Sequence, residues 1–172
     1  MIIALTGFMG CGKSSVGRKL RTLLSCDLTD LDSYIEDKTG RTIREIFKND
    51  GEAVFRQIEQ GCLKQFLDTP EEGEYTILSL GGGTLMTEDC RKMVREKTRC
   101  VYLRATVDTL EHNLHFGVES RPLLAGGDLR GKIMSMMEKR GPIYEEAAEI
   151  IVDTDGRSFE QVAREIAGAL VR

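Results

Sequence analysis

Eight residues near the start of the chain, Gly7-Phe8-Met9-Gly10-Cys11-Gly12-Lys13-Ser14, have the types and spacing of a phosphate-binding loop, G-x-x-x-x-G-K-[ST]. Each part has a chemical task. Gly7, Gly10 and Gly12 permit backbone conformations that a side chain forbids, so successive N–H groups can converge on phosphate oxygens. Lys13 can reach the β- and γ-phosphates, and the Ser14 hydroxyl is placed to ligate Mg²⁺. Asp30 and Asp32 stand two apart, so that one carboxylate could help hold the Mg²⁺ shell while the other accepts a hydroxyl proton. Taken alone they read equally as solvated aspartates at a helix start. Gly81-Gly82-Gly83 offers no side chains, which suits a small substrate lying against backbone N–H groups; the plainer alternative is a tight turn into the next helix. Arg56 and Arg140 could clamp one acid group from both sides, because an arginine fork binds a carboxylate bidentately; singly, each reads as a surface ion-pair residue. The loop implies a bound nucleoside triphosphate, and the other residues bear on what is done with it.

Those residues need elements to position them. Ile2-Ile3-Ala4-Leu5 reads as a buried strand running into the loop. After it, Val16, Leu20, Leu23 and Leu24 recur as the stripe of an amphipathic helix. Strand, glycine loop and helix N-terminus make the arrangement an anion needs. Further strands are expected at residues 27–30, 76–80, 100–104 and 149–153, the apolar ones suited to burial on both faces of a parallel sheet. Thr42 with Glu45, and Ser158 with Gln161, match capping boxes and mark helix starts. Phe55, Ile58, Cys62 and Phe66 are expected on one helix face, and Val162, Ile166 and Leu170 on another. Alternating strands and helices imply an α/β fold with a mainly parallel sheet. The stretch at roughly 114–128 breaks the pattern with Gly117, Pro122, Gly126 and Gly127 around Arg121, and reads as a mobile segment.

Size and composition bound the rest. A chain of 172 residues suits one domain, 1–172, and 41% hydrophobic with 30% charged residues is ordinary for a soluble globular protein. A net charge of −4 gives no support to nucleic-acid binding. No run has the length of a membrane span, and the apolar start lacks the basic flank of a signal peptide, so a cytoplasmic protein is expected. Five scattered cysteines without a C-x-x-C pair read as reduced thiols. His112 and His115 lack a carboxylate or cysteine partner at metal-ligand spacing.

In combination these points resemble the shikimate kinase family almost end to end. Gly7 to Ser14 is followed by Thr29-Asp30-Leu31-Asp32, Thr39 to Ile43, Ile46-Phe47, Gly51-Glu52, Phe55-Arg56 to Glu59, Leu80 to Gly83, Arg121-Pro122-Leu123-Leu124 and Arg140 to Tyr144. The resemblance implies transfer of the ATP γ-phosphate to the 3-hydroxyl of shikimate, on the route to chorismate and the aromatic amino acids. The implied fold is a three-layer P-loop kinase, with a five-stranded parallel sheet in order 2-3-1-4-5, a lid at about 114–128 and shikimate-binding helices at about 32–62. The implied roles place Asp32 on the shikimate hydroxyls as base, Arg56 and Arg140 on its carboxylate, and Gly81, Gly82 and Gly83 beside it. Gly10, Cys11, Gly12, Lys13, Ser14 and Ser15 would hold the nucleotide, Ser14 and Asp30 the Mg²⁺, and Arg121 the transferring phosphate. A monomer acting on ATP and shikimate is expected, with no nucleic-acid or membrane partner. Another small P-loop kinase, such as a gluconate kinase, is the alternative. The chain departs from the family where an arginine often precedes R-P-L-L: Asn113-Leu114-His115-Phe116 has none, leaving His115, Phe116 or Arg157 to meet the adenine.

Overall fold

A computed structural model describes residues 1–70, 72–115 and 123–171. Among these residues five strands, β1 (Ile2–Thr6), β2 (Asp27–Asp30), β3 (Thr76–Ser79), β4 (Thr98–Arg104) and β5 (Ile150–Asp153), form one parallel sheet in the order β2-β3-β1-β4-β5. The expected order and strands are found, with β3 ending at Ser79 and β4 beginning at Thr98. β1 is central and wholly buried, as its unbroken apolar run requires.

Eight α-helices among the described residues accompany the strands: α1 (Lys13–Leu24), α2 (Leu31–Thr39), α3 (Ile43–Asp50), α4 (Glu52–Asp68), α5 (Glu88–Lys97), α6 (Val107–Leu114), α7 (Leu129–Ala147) and α8 (Phe159–Leu170). The chain steps leftward from β1 to β2 and rightward at every later crossover. Right-handed crossovers therefore put α1 on one face of the sheet and α4, α5 and α7 on the other. α8 returns to pack on α1.

Both expected capping boxes are formed: Thr42 with Glu45 opens α3, and Ser158 with Gln161 opens α8. The stripe of α8, Val162, Ile166 and Leu170, is buried as expected. Two stripes differ from expectation. Leu23 of α1 is 38% exposed, because Gly17 rather than Leu23 lies against the sheet, where a Cβ would touch Leu28 and Leu5. In α4 the buried positions are Phe55, Glu59, Cys62, Leu63 and Leu67, so Ile58 and Phe66 sit at the margin and a carboxylate occupies the core face. Among the described residues, no helix is long and apolar enough to cross a membrane.

Because every strand runs the same way, all carboxyl ends open on one edge. Register puts Asp30 of β2 beside Ser79 of β3, and Ser79 beside Leu5 of β1. The Asp30, Gly81 and Gly7 regions thus come to one level of the molecule.

Candidate active site

The phosphate-binding loop is built by glycines that need to be glycines. Gly7, Gly10 and Gly12 have φ of 148°, 83° and 101°, conformations that disfavour a side chain. Space forbids one as well: a Cβ on Gly7 would sit 2.7 Å from both Cys11 Sγ and the Leu103 carbonyl oxygen. The loop closes with the Cys11 N–H donating to the Phe8 carbonyl (3.1 Å). α1 then begins with no side-chain cap, its first internal bond running from the Val16 N–H to Gly12 O (2.9 Å). The N–H groups of Lys13, Ser14 and Ser15 precede that bond and have no helical partners, the condition for an anion site at a helix end. Lys13 Nζ donates to the carbonyls of Gly7 (2.7 Å) and Phe8 (3.2 Å), so its ammonium sits in the mouth of the loop.

Beside this loop lies a cavity of about 320 Å³ lined by Met9, Asp32, Glu36, Ile43, Phe47, Phe55, Arg56, Glu59, Gly81, Gly82, Gly83, Leu123 and Arg140. Every residue expected to meet the acceptor is on its wall. Asp30 ends β2 and caps α2, its Oδ1 accepting from the Ser33 N–H (3.0 Å), while its other oxygen takes no part in the cap. Asp32 follows in the first turn of α2. Burial pushes its carboxyl up to about 6, and the charges of Asp30 and Glu59 add to the effect, against the pull of Lys13 and Arg56.

The three glycines adopt no left-handed φ; what marks them is how closely charged side chains approach, most tightly at Gly83. A Cβ on Gly81 would lie 3.2 Å from Asp32 Oδ1 and 3.3 Å from Glu59 Oε2. One on Gly82 would lie 3.4 Å from Arg140 Nη1, and one on Gly83 would collide with the Arg56 guanidinium at 2.3 Å. The glycine tract is thus the floor on which four charged side chains converge.

Those side chains are held from behind. Arg56 pairs with Glu59 (2.8 Å) and Glu52 (3.4 Å) and lies over the Phe55 ring. Glu59, 0% exposed, takes Arg56 on one oxygen and the Thr84 hydroxyl on the other (2.8 Å), so both its oxygens are used. Arg140, in α7, is buried against Phe8; its Nη1 has no partner among the described residues. A buried guanidinium N–H left unsatisfied is costly, and here it borders the cavity. Tyr144, one turn on, donates its hydroxyl to the Gly82 carbonyl and packs its ring at a tilt against Tyr102.

Sequence reasoning did not give Glu59, Thr84 or Tyr144 these supporting tasks. For Glu59 the signal was available, since a glutamate three residues after an arginine on a helix faces it. Thr84 is 25 residues from Glu59, and nothing local announces that contact. Of the remaining expected residues, Arg157 lies in the turn between β5 and α8, donating to the Asp153 carbonyl (2.9 Å) and pairing with Glu165. Ser15 is partly covered beside Arg18. Arg121 and Phe116, with much of the stretch 114–128, lie outside the described residues.

A family model described as shikimate kinase matches residues 9–171 of this chain. The shikimate kinase of Rhodococcus jostii is 39% identical over 96% of this chain and 95% of its own. That of Thermus thermophilus is also 39% identical, over 99% of this chain and 90% of its own. A solved shikimate kinase from Acinetobacter baumannii, in complex with shikimate, superposes with a TM-score of 0.91 at 30% identity, covering 99% of this chain and 92% of that one. A gluconokinase from Sinorhizobium meliloti, at 16% identity and a TM-score of 0.60, shares the fold alone.

Proposed function

The chain belongs to the shikimate kinase family, and from that premise we propose how its residues divide the transfer of the ATP γ-phosphate to the 3-hydroxyl of shikimate. The observation that carries the reading is the cavity itself. Two guanidiniums and a carboxylate of raised pKa surround a glycine floor, one wall away from a phosphate-binding loop.

Arg56 and Arg140 take the shikimate carboxylate. Glu59 keeps the Arg56 fork in place, and the buried Nη1 of Arg140 finds the acceptor it needs. Gly81, Gly82 and Gly83 let the ring lie against the backbone. Asp32 orients the 3-hydroxyl and collects its proton late, which is all that a loose phosphoryl-transfer transition state asks of a base. Gly10, Cys11, Gly12, Lys13, Ser14 and Ser15 hold the nucleotide phosphates, with Lys13 exchanging loop carbonyls for phosphate oxygens.

Ser14 and Asp30 offer the hard oxygen donors that suit Mg²⁺, an ion that takes one or two protein oxygens and fills its shell from phosphates and water. The second oxygen of Asp30, unused by the helix cap, fits that task. When bound, the ion would neutralise charge on the β- and γ-phosphates. Arg121 stabilises the phosphoryl group in flight, brought by the segment at about 114–128 acting as a lid. Arg157, through its guanidinium or its stem, stands on the nucleotide side.

The test is ADP release from ATP with shikimate, gluconate or no acceptor. Turnover with shikimate alone is expected. Preference for gluconate would replace this reading with the gluconate kinase one, and equal ADP release without any acceptor would make the chain an ATPase.

A further inference from the structure

Gly10 carries a difficulty inside the proposed nucleotide site. Its φ of 83° needs a glycine, and glycine's freedom at ψ leaves the next peptide unit less firmly directed than any other residue would, so its orientation has to be held by its hydrogen bonds. In a trans peptide the carbonyl and the following N–H point in opposite directions. The Gly10–Cys11 unit now directs its N–H to Phe8 O, within the loop, and its carbonyl outward. Turned over, it would lose the Cys11 N–H bond to Phe8 O and point a carbonyl oxygen into the loop that is to receive phosphate.

An outside contact removes the ambiguity. Asn113, in the last turn of α6, donates its Nδ2 to the Gly10 carbonyl at 2.8 Å, across 103 residues of sequence. Leu114, the next residue, occupies the room a Gly10 side chain would take, its Cγ lying 2.7 Å from the position of a built Cβ. The peptide unit is therefore fastened at both ends, by the loop at its N–H and by α6 at its carbonyl. Asn113 is exposed and Leu114 is fully buried, so the leucine supplies the packing and the asparagine the direction.

We propose that Asn113 is a positioning residue for the nucleotide, holding the Gly10 carbonyl out of the phosphate path. The proposal rests on the reading that Gly7 to Ser14 bind nucleotide phosphates. It adds a residue that no loop motif contains, and it ties the loop to the helix from which the Arg121 segment departs. A net hydrogen-bond contribution of the usual size corresponds to about a three- to tenfold change in affinity.

The test uses the full chain with Asn113→Ala, Asn113→Asp and Asn113→Gln, ADP binding by calorimetry and steady-state kinetics. Asn113→Ala should weaken ADP binding and raise the ATP KM by about three- to tenfold, with the shikimate KM unchanged. Asn113→Asp has the same shape, lacks the donor and adds a negative charge, so its loss should be larger. Asn113→Gln keeps a donor on a longer arm and should recover part of the affinity. Amide exchange at Cys11 should quicken in the alanine variant, because its N–H then belongs to a peptide unit free to turn.

ADP binding and ATP KM within twofold of wild type in both the alanine and aspartate variants would overturn the proposal. So would an equal rise in the shikimate KM, which marks general damage. Failure of the wild-type chain to bind ADP would instead overturn the nucleotide reading on which the proposal stands.

Discussion

The cavity concentrates charge at the level of single residues, and two measurements follow from that. Asp32 and Glu59 both border the position of a Gly81 Cβ, and Asp30 adds a third carboxylate nearby. Burial and these neighbours raise the Asp32 carboxyl from 3.8 to about 6. The folded chain then binds this proton more tightly than the unfolded one. Its contribution to stability therefore falls as pH rises from about 4 to about 6, and is least favourable above that window. In the metal-free protein, a carboxyl ¹³C titration of Asp32 should have its midpoint near 6. Asp30→Asn should lower that midpoint without restoring the ordinary value, since burial is the larger cause; an unchanged midpoint would remove Asp30 from the explanation. The arginines give the second measurement. A charge-assisted contact contributes about 1.5–3 kcal/mol, so Arg56→Ala or Arg140→Ala should raise the shikimate KM by about ten- to a hundredfold while the ATP KM changes little. Shikimate methyl ester should be a poor substrate for the wild type; efficient phosphorylation of the ester would end the clamp assignment.

Among the elements, glycines separate the demands of stability from those of the site. Gly61 in α4 and Gly168 in α8 have nothing within 4 Å of a built Cβ, and both sit in ordinary helical turns. Gly61→Ala and Gly168→Ala should each stabilise the chain by about 0.5–1 kcal/mol, visible as a higher midpoint in chemical denaturation. Gly83→Ala should do the opposite to function, displacing Arg56 and raising the shikimate KM while the fold persists. Unaltered shikimate kinetics in that variant would show that Arg56 has room to move. How legible each element was in the sequence follows from how local its cause is. The loop glycines, the strand runs and the two capping boxes are set by neighbours a few residues apart, and the structure has all of them. α7 is less legible because it runs through Gly141 and Pro142, residues that ordinarily interrupt a helix. Tertiary packing holds it: Ile133, Arg140, Tyr144 and Ala147 are buried on one side. Glu59 stands on the core face of α4, where an amphipathic helix ordinarily has an apolar residue. Arg56 on its own helix and Thr84 from another element together make a buried carboxylate tolerable there, and the second partner is the one the local sequence does not announce. The Asn113 contact belongs to the same class, its partner being 103 residues away.

For the whole molecule, the parallel sheet places the acceptor cavity on one flank of the phosphate loop, next to Met9 and Gly82, while α6 and α8 border the other flank at Gly10 and Gly12. In the proposed reading the nucleotide lies along the second flank and its phosphoryl group passes over the loop to the first, where Arg121 is proposed to meet it. Comparable arginines contribute about 10³–10⁵ in rate. Arg121→Ala should lose a large part of that in kcat, Arg121→Lys should recover a fraction because an ammonium cannot present the fork, and shikimate binding without nucleotide should barely change. Retention of most of the kcat by the alanine variant would leave Arg121 outside the chemistry. The sheet itself ends in two unlike borders. β2, Asp-Leu-Thr-Asp, carries a carboxylate at each end, Asp30 on the side of the site and Asp27 at the opposite end, and both keep foreign strands from adding there. β5, Ile-Ile-Val-Asp, is apolar, and its Ile151 is 40% exposed. A crowded or half-refolded population of this chain should accordingly clump through β5, at the border farthest from β2.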